Sequence, residues 1–306
     1  MKTIWILTCL LTPLIWVIPQ ENTVISRLEV YDLATGQRSV VREENADFEA
    51  PNWSIDGDYF VINQNGLLYS VSRNGSEKAE IFTGDARNCN NDHGISPDGS
   101  SIALSNNDPA EDAPYGSSRI YTIPISGGTP SLITPEMPSY WHGWSPDSRS
   151  VLYVAHRGED FDIYRKEIEG TEEVRLTGDP GLDDGPEFSP DGQYIYYNSF
   201  RSGMMEIWRM RPDGSQKEMM TDDEYSNWFP HPSPDGKYFV FLSYLEDQGQ
   251  AHPALKRVAL RLFDLQSGKI RTLCSFTGGQ GTINVPSWSP DSLQFAFVSY
   301  EVSQEN

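Results

Sequence analysis

Cysteine is scarce, with Cys9, Cys89 and Cys274 the three in 306 residues. That number excludes a disulfide-stapled scaffold, and with no CxxC pair there is no cysteine zinc ribbon or thioredoxin-like redox site. Cys89 and Cys274 leave room for one disulfide or two separate thiols. Positive charge is also in short supply: 23 Lys and Arg face 44 Asp and Glu, a formal net charge of −21. Such a field repels phosphate, so no nucleic acid or anionic membrane surface is expected as a partner. Neutral ligands, cations and basic protein patches remain, and an anionic ligand would need a local cluster of arginine or metal. The GGQGT stretch at 278–282 has flexible glycines but no Walker lysine and no strand–GxGxxG–helix setting, so no nucleotide is expected. No GxSxG elbow, HExxH pair or twelve-residue calcium loop occurs.

Long apolar runs are missing too, except at the start. Lys2 precedes an apolar run at 4–18, interrupted by Thr8, Thr12 and Pro13 and followed by Gln20, Glu21 and Asn22. Charge, length and abrupt polar end read as a secretory signal over residues 1–20, shorter than a spanning helix requires. The expectation is a periplasmic or secreted protein with no integral membrane domain after signal removal. Ile6, Leu7 and Thr8 make a poor lipidation box before Cys9.

A short pattern recurs six times: SIDG at Ser54, SPDG at Ser96, SPDS at Ser145, SPDG at Ser189, SPDG at Ser233 and SPDS at Ser289. The intervals, from 42 to 56 residues, suit the blades of a radial repeat fold. An apolar residue mostly precedes each motif (Trp53, Ile95, Trp144, Phe188, Trp288) and an apolar strand follows, which reads as a hairpin with a tight turn. Between these motifs falls a second pattern, such as RIYTIPISGG from Arg119 and EIWRMRPDG from Glu206, which supplies a second hairpin. Residues 28–41 have the second pattern with no motif before it, and Ser289 opens a motif with no second pattern after it. Joining them completes a blade. The chain is therefore expected to be an all-β, six-bladed β-propeller of four-stranded blades over residues 24–302, closed by its N-terminal strands.

This repeated P-x-[W/F]-SPDG unit, with its following I/L-Y strand and glycine turn, resembles the WD40-like PD40 repeats of the TolB-type propeller family. The resemblance covers nearly the whole mature chain and implies the fold, with periplasmic protein binding as the family's role. Related propellers occur in peptidases and oligosaccharide lyases. The N-terminal α/β domain of periplasmic family members is not legible here, and neither is a hydrolase domain. The lyases carry channel histidines plus a glutamine, and no motif aligns residues of this chain onto that set.

In the expected blade order the SPDG turns share one rim, and the entrances to the first strands share the other. That second rim collects NNDHG (90–94), SYWHG (139–143), GLDDGPE (181–187), NWFPH (227–231) and GGQGTINVP (278–286). His93, His142 and His231 are candidates for metal ligation or proton transfer, with Gln280 a further metal ligand and a divalent metal ion the one cofactor envisaged. Asp183, Asp184 and Glu187 are candidate catalytic carboxylates or groups that orient a histidine. Asn91, Asn227, Gln280 and Asn284 are candidate substrate-binding amides. Tyr140, Trp141 and Trp228 offer stacking surface, and Arg157 and Arg201 offer paired donors to a carboxylate or sugar hydroxyl. His252 and Lys256, in the insertion after the fifth blade's second strand, are lid or partner-contact candidates. For each group the competing reading is structural: hydrogen-bonded core histidines, rim aromatics and loop salt bridges.

Two functions fit these residues. One is an extracytoplasmic binding propeller that recognises a glycan or protein through a polar channel mouth. The other is an oligosaccharide-active enzyme, a metal-assisted lyase or a hydrolase, using channel histidines and carboxylates.

Overall fold

The computed structural model describes residues 22–110 and 113–304, so the segment 1–20 expected to be a secretory signal lies outside the described residues. The chain forms six antiparallel sheets arranged as blades. Blade 1 comprises Glu49–Trp53, Tyr59–Gln64, Leu67–Ser72 and Lys78–Glu80, and blade 2 comprises Cys89–Ile95, Ser101–Asn107, Ser118–Pro124 and Ser131–Leu132. Blade 3 is Ser139–Trp144, Ser150–His156, Phe161–Glu167 and Glu173–Arg175; blade 4 is Asp183–Phe188, Ile195–Ser199, Glu206–Met210 and Glu218–Met219. Blade 5 is Ser226–Pro232, Tyr238–Tyr244, Lys256–Asp264 and Lys269–Gly278. In the sixth, Gln294–Gln304 pairs with Asn22–Asp32, which pairs with Arg38–Glu44.

The repeated motif folds the same way in all six blades. Each serine donates to the aspartate two residues on, at 2.6–2.7 Å, from Ser54–Asp56 through Ser289–Asp291. The same Oγ accepts the backbone N–H five residues on, as with Tyr59 at 3.0 Å and Gln294 at 2.9 Å. Serine thus closes the hairpin with its side chain, and aspartate orients the hydroxyl while capping the turn.

Blade 6 departs from the four-stranded expectation. Its innermost segment contributes one bridge, Trp288 to Phe295, and no regular strand. Residues 279–284 instead bond to themselves, Gly279 N–H to Thr282 Oγ1 (3.0 Å) and Gly281 N–H to Asn284 Oδ1 (2.7 Å), with both glycines at positive φ. The seam is carried by the next strand, where Asn22–Asp32 matches Gln294–Gln304 over eleven paired positions. This joint removes the free edges that an open ring would expose.

The core lies between blades. Trp53, Trp144, Phe188 and Trp288 are buried just before their serines, and Trp144 Nε1 donates to Gly94 O of the preceding blade at 2.9 Å. Trp141 packs so tightly on blade 2 that a Cβ on Gly94 would sit 2.1 Å from its ring. Cys89 and Cys274 are both free thiols.

Two outcomes are expected. Deleting residues 27–42 removes most of both closing strands and should abolish cooperative thermal unfolding; an unchanged melting curve would contradict the closure. Gly94→Ala should cost about 1–3 kcal/mol in denaturant unfolding, because the indole and strand cannot both yield.

Candidate functional site

All five regular inner strands break register with their neighbours a few residues before the motif serine, at Glu49/Asn52, Cys89/His93, Trp141/Gly143, Asp184/Glu187 and Trp228/His231. The bulge residue sits at positive φ in three blades: Ala50 (56°), Gly185 (60°) and Phe229 (52°). A bulge sets two residues against one and re-aims the side chains around it. Residues at these breaks line a cavity of about 770 Å³ at the strand-entrance rim: Asn91, Asp92, Tyr140, His142, Asp184 and Phe229. Gln280 and Asn284 join them from the irregular segment of blade 6.

Loops raise the walls. Tyr115, after the second strand of blade 2, stacks on His156 with ring centroids 3.8 Å apart, and Phe161 meets His156 edge-on at 5.2 Å. The long loop of blade 5 folds over the opposite side. There Gln250 Oε1 accepts from Leu182 N–H (2.9 Å), Tyr244 donates to Pro253 O (2.9 Å), and His252 Nδ1 pairs with Gln280 Oε1.

The electrostatic centre is Asp184. Its Oδ1 lies 3.0 Å from His142 Nε2 and its Oδ2 lies 3.7 Å from His252 Nε2. Burial opposes ionisation of both partners, yet their mutual attraction wins: the Asp184 carboxyl is held below its usual range and the His142 imidazole above. Asp92 has no such partner. Burial pushes its carboxyl up to about 7, with His142 pulling it down and Asp184 pushing it further up.

Of the residues expected to form the site, Asn91, Tyr140, His142, Asp184, Gln280 and Asn284 come together here, and His252 joins them from the insertion. The others do not. His93 is fully buried with Nε2 3.1 Å from Val61 O, and desolvation lowers it to about 4, so it stays neutral as an inter-blade tie. His231 has both ring nitrogens engaged, Nδ1 with Glu187 Oε2 at 2.6 Å and Nε2 with Ile283 O. Glu187 borders a separate chamber of about 330 Å³ beside Trp53, Trp144 and Trp288. The three histidines therefore do not converge as a metal shell with Gln280, and among the described residues no three His, Cys, Asp or Glu side chains form a metal-holding group.

Several binding candidates are structural for equally plain reasons. Trp141 and Trp228 are fully buried, so neither presents a face for stacking. Asn227 is buried against Glu206 (2.8 Å) and Ser243 (2.6 Å). Arg201 reaches Asp179 and Asp183, and Arg157 holds Glu173 and Pro138 O, so both guanidiniums tie loops. Asp183 is turned away with Arg201, and Lys256 opens a blade 5 strand, outside the cavity. Tyr115, His156, Phe161 and Phe229 line the cavity without having been singled out. Their signal was positional: Phe229 sits at the bulge, Tyr115 lies in the loop between the second and third strands of blade 2, and His156 and Phe161 end and begin the corresponding strands of blade 3 on the same rim.

The profile of the TolB beta propeller domain, PD40, matches residues 138–275. An uncharacterized protein of Agrobacterium fabrum strain C58 is 49% identical over 276 residues, covering 90% of this chain and 92% of its own length. The chain belongs to the TolB-type PD40 propeller family. A solved TolB-type protein from Agrobacterium tumefaciens shares 47% identity and a TM-score of 0.85, covering 91% of this chain and 99% of that one. TolB from Acinetobacter baumannii, at 18% identity and a TM-score of 0.63 over 84% of this chain and 64% of that one, shows the common fold alone. Within this TolB-type propeller, no helix among the described residues is long and apolar enough to cross a membrane.

Beside the mouth, Glu49 borders a pocket of about 190 Å³ with Asp47 and Asn63. Desolvation, then Asp47 and Asp92, push its carboxyl up to about 8. Between its unfolded value and pH 8 the native state holds the extra proton, so this group's stability contribution is full at low pH and falls as pH rises through that window. Glu49→Gln should leave the unfolding free energy at pH 4 nearly unchanged and raise it by about 1–3 kcal/mol at pH 9, measured in urea.

Proposed function

We propose that the protein is an exported binding propeller that receives a segment of a partner protein in its mouth cavity. One observation carries this reading: an open cavity of about 770 Å³ in which carboxylates, amides and aromatic rings converge from five blades and two loops. That mixture of flat apolar surface and fixed polar groups is what an inserted segment needs. Membership of the TolB-type family supports a protein over a glycan as partner, and the apolar N-terminal run supports export to the periplasm or beyond. Among the described residues no serine, threonine, cysteine, lysine or arginine lines the cavity, so an activated nucleophile of those kinds is not found in the described wall.

A second reading rests on the His142–Asp184 pair, which has the form of a base oriented by a carboxylate. In that reading the ligand is an oligosaccharide, stacked on Tyr140 and Tyr115, and turnover on a panel of neutral and uronate-containing glycans should be lost in His142→Ala.

The test uses a photo-crosslinking amino acid placed at Tyr140, with a matched placement at Asp98 on the opposite rim. Irradiation of cells should give a discrete protein adduct from position 140 and none from 98. Adducts from both positions alike, or from neither, would overturn a protein-binding mouth.

A further inference from the structure

Resting on the protein-binding reading above, we propose that the mouth receives a lysine or arginine side chain of the partner segment, with its ammonium or guanidinium against Asp92 and Asp184 and its alkyl stem along Tyr140. The argument starts from Asp92. It is 5% exposed and lines the cavity, and its carboxylate's one hydrogen bond within the described chain comes from Asn90 Nδ2 at 2.8 Å to Oδ2, leaving Oδ1 without a donor.

Five other acidic residues among those described are less than a tenth exposed, and each is matched. Glu29 has Arg38, Asp162 has Arg175, Asp183 has Arg201 and Asp184 has His142, each within ion-pair distance. Glu206 has no cation but takes Thr221, Asn227 and the Asp223 N–H. Among the described residues Asp92 alone of this set has neither an ion pair nor a full complement of donors, and with Asp184 it lines the open cavity. A buried carboxylate left so costs the free protein stability, which burial's upward push on its pKa reflects. Such a cost is offset when a ligand supplies the missing charge.

The surroundings specify the kind of cation. Glu159 and Asp160 stand at the cavity wall and, among the described residues, no Lys or Arg does, so no permanent cation of the wall competes for Asp92. Histidines are the wall's own bases, and His142 is already committed to Asp184 at 3.0 Å. A hard divalent ion wants six to eight oxygens in a shell, whereas here rings occupy much of the wall and no three-ligand group exists among the described residues. A cation on a flexible stem uses both chemistries, charge at the carboxylates and methylenes on ring faces.

The experiment selects phage-displayed random dodecapeptides on the full chain, then measures fluorescein-labelled winners by anisotropy. Lys or Arg should dominate one position of the enriched sequences. Replacing that residue by norleucine or citrulline should weaken binding at least tenfold, Asp92→Asn should weaken it similarly, and the two changes together should cost little more than either alone. Asp98→Asn removes the same charge at the far rim and should leave affinity unchanged, and the thermal midpoint of Asp92→Asn, which should not fall, shows that the fold persists. Enriched peptides lacking Lys and Arg, bound equally by Asp92→Asn, would overturn the cation pocket while leaving the protein-binding reading intact. Failure of every peptide, together with no adduct at Tyr140, would overturn both. Tight binding of spermidine or of Ca²⁺ that Asp92→Asn abolishes, without discrimination among peptides, would also overturn it.

Discussion

The bulge in the inner strands is the constraint on which the rest depends. An inner strand is a sheet edge, and a break in register frees N–H groups that need partners in a crowded interior. The preceding blade supplies them in three places: Ala50 N–H donates to Gly281 O (2.7 Å), Trp141 N–H to Ser105 Oγ (2.8 Å) and Phe229 N–H to Asn198 Oδ1 (3.1 Å). In the other two blades the bond is local, Asp92 N–H to Asn90 Oδ1 and Gly185 N–H to Asp184 Oδ1. The irregularity that shapes the mouth is therefore also what fastens blade to blade. Positive φ at Ala50 and Phe229 is a strain the packing must hold in place.

This coupling explains why some conspicuous polar residues are structural and others are not. His93 and His231 bond to neighbouring blades through Val61 O and Ile283 O, so their imidazoles act as inter-blade staples. His142 holds the repeat position of His93 but meets Asp184 of the following blade. The difference lies in direction, since His93 turns back to a carbonyl of blade 1 and His142 turns forward to a carboxylate of blade 4. The mouth is thus acidic and incompletely paired, while the Trp53, Trp144 and Trp288 chamber at the other end is walled by indoles already satisfied by backbone carbonyls.

Much of the architecture was legible in the chain. Six Ser-x-Asp motifs at blade spacing carry both the turn and its stabilising hydroxyl, and the unpaired second pattern at residues 28–41 foretells the seam. Six of the fifteen site candidates line the cavity, because the motif serine locates the rim. What failed was side-chain direction. Trp141 and Tyr140 are adjacent in sequence, yet the indole is fully buried against Gly94 and the phenol lines the mouth. Strand alternation would separate them, but the bulge at Trp141/Gly143 decides which goes where, and no local pattern announces a bulge.

The sequence by itself determined the six-fold repeat, the Ser–Asp turns and the ring closure, because each is a contact between residues a few positions apart or a pattern complementary between the two ends. Tertiary structure alone decided which acids found cations. Arg157 and Arg201 were drawn to Glu173 and Asp183 within their own blades, His142 was drawn to Asp184 of the next, and Asp92 was left facing the cavity. Charges pair by distance in space, and in a ring of blades that distance is set by which side chains each inner-strand bulge turns toward the channel.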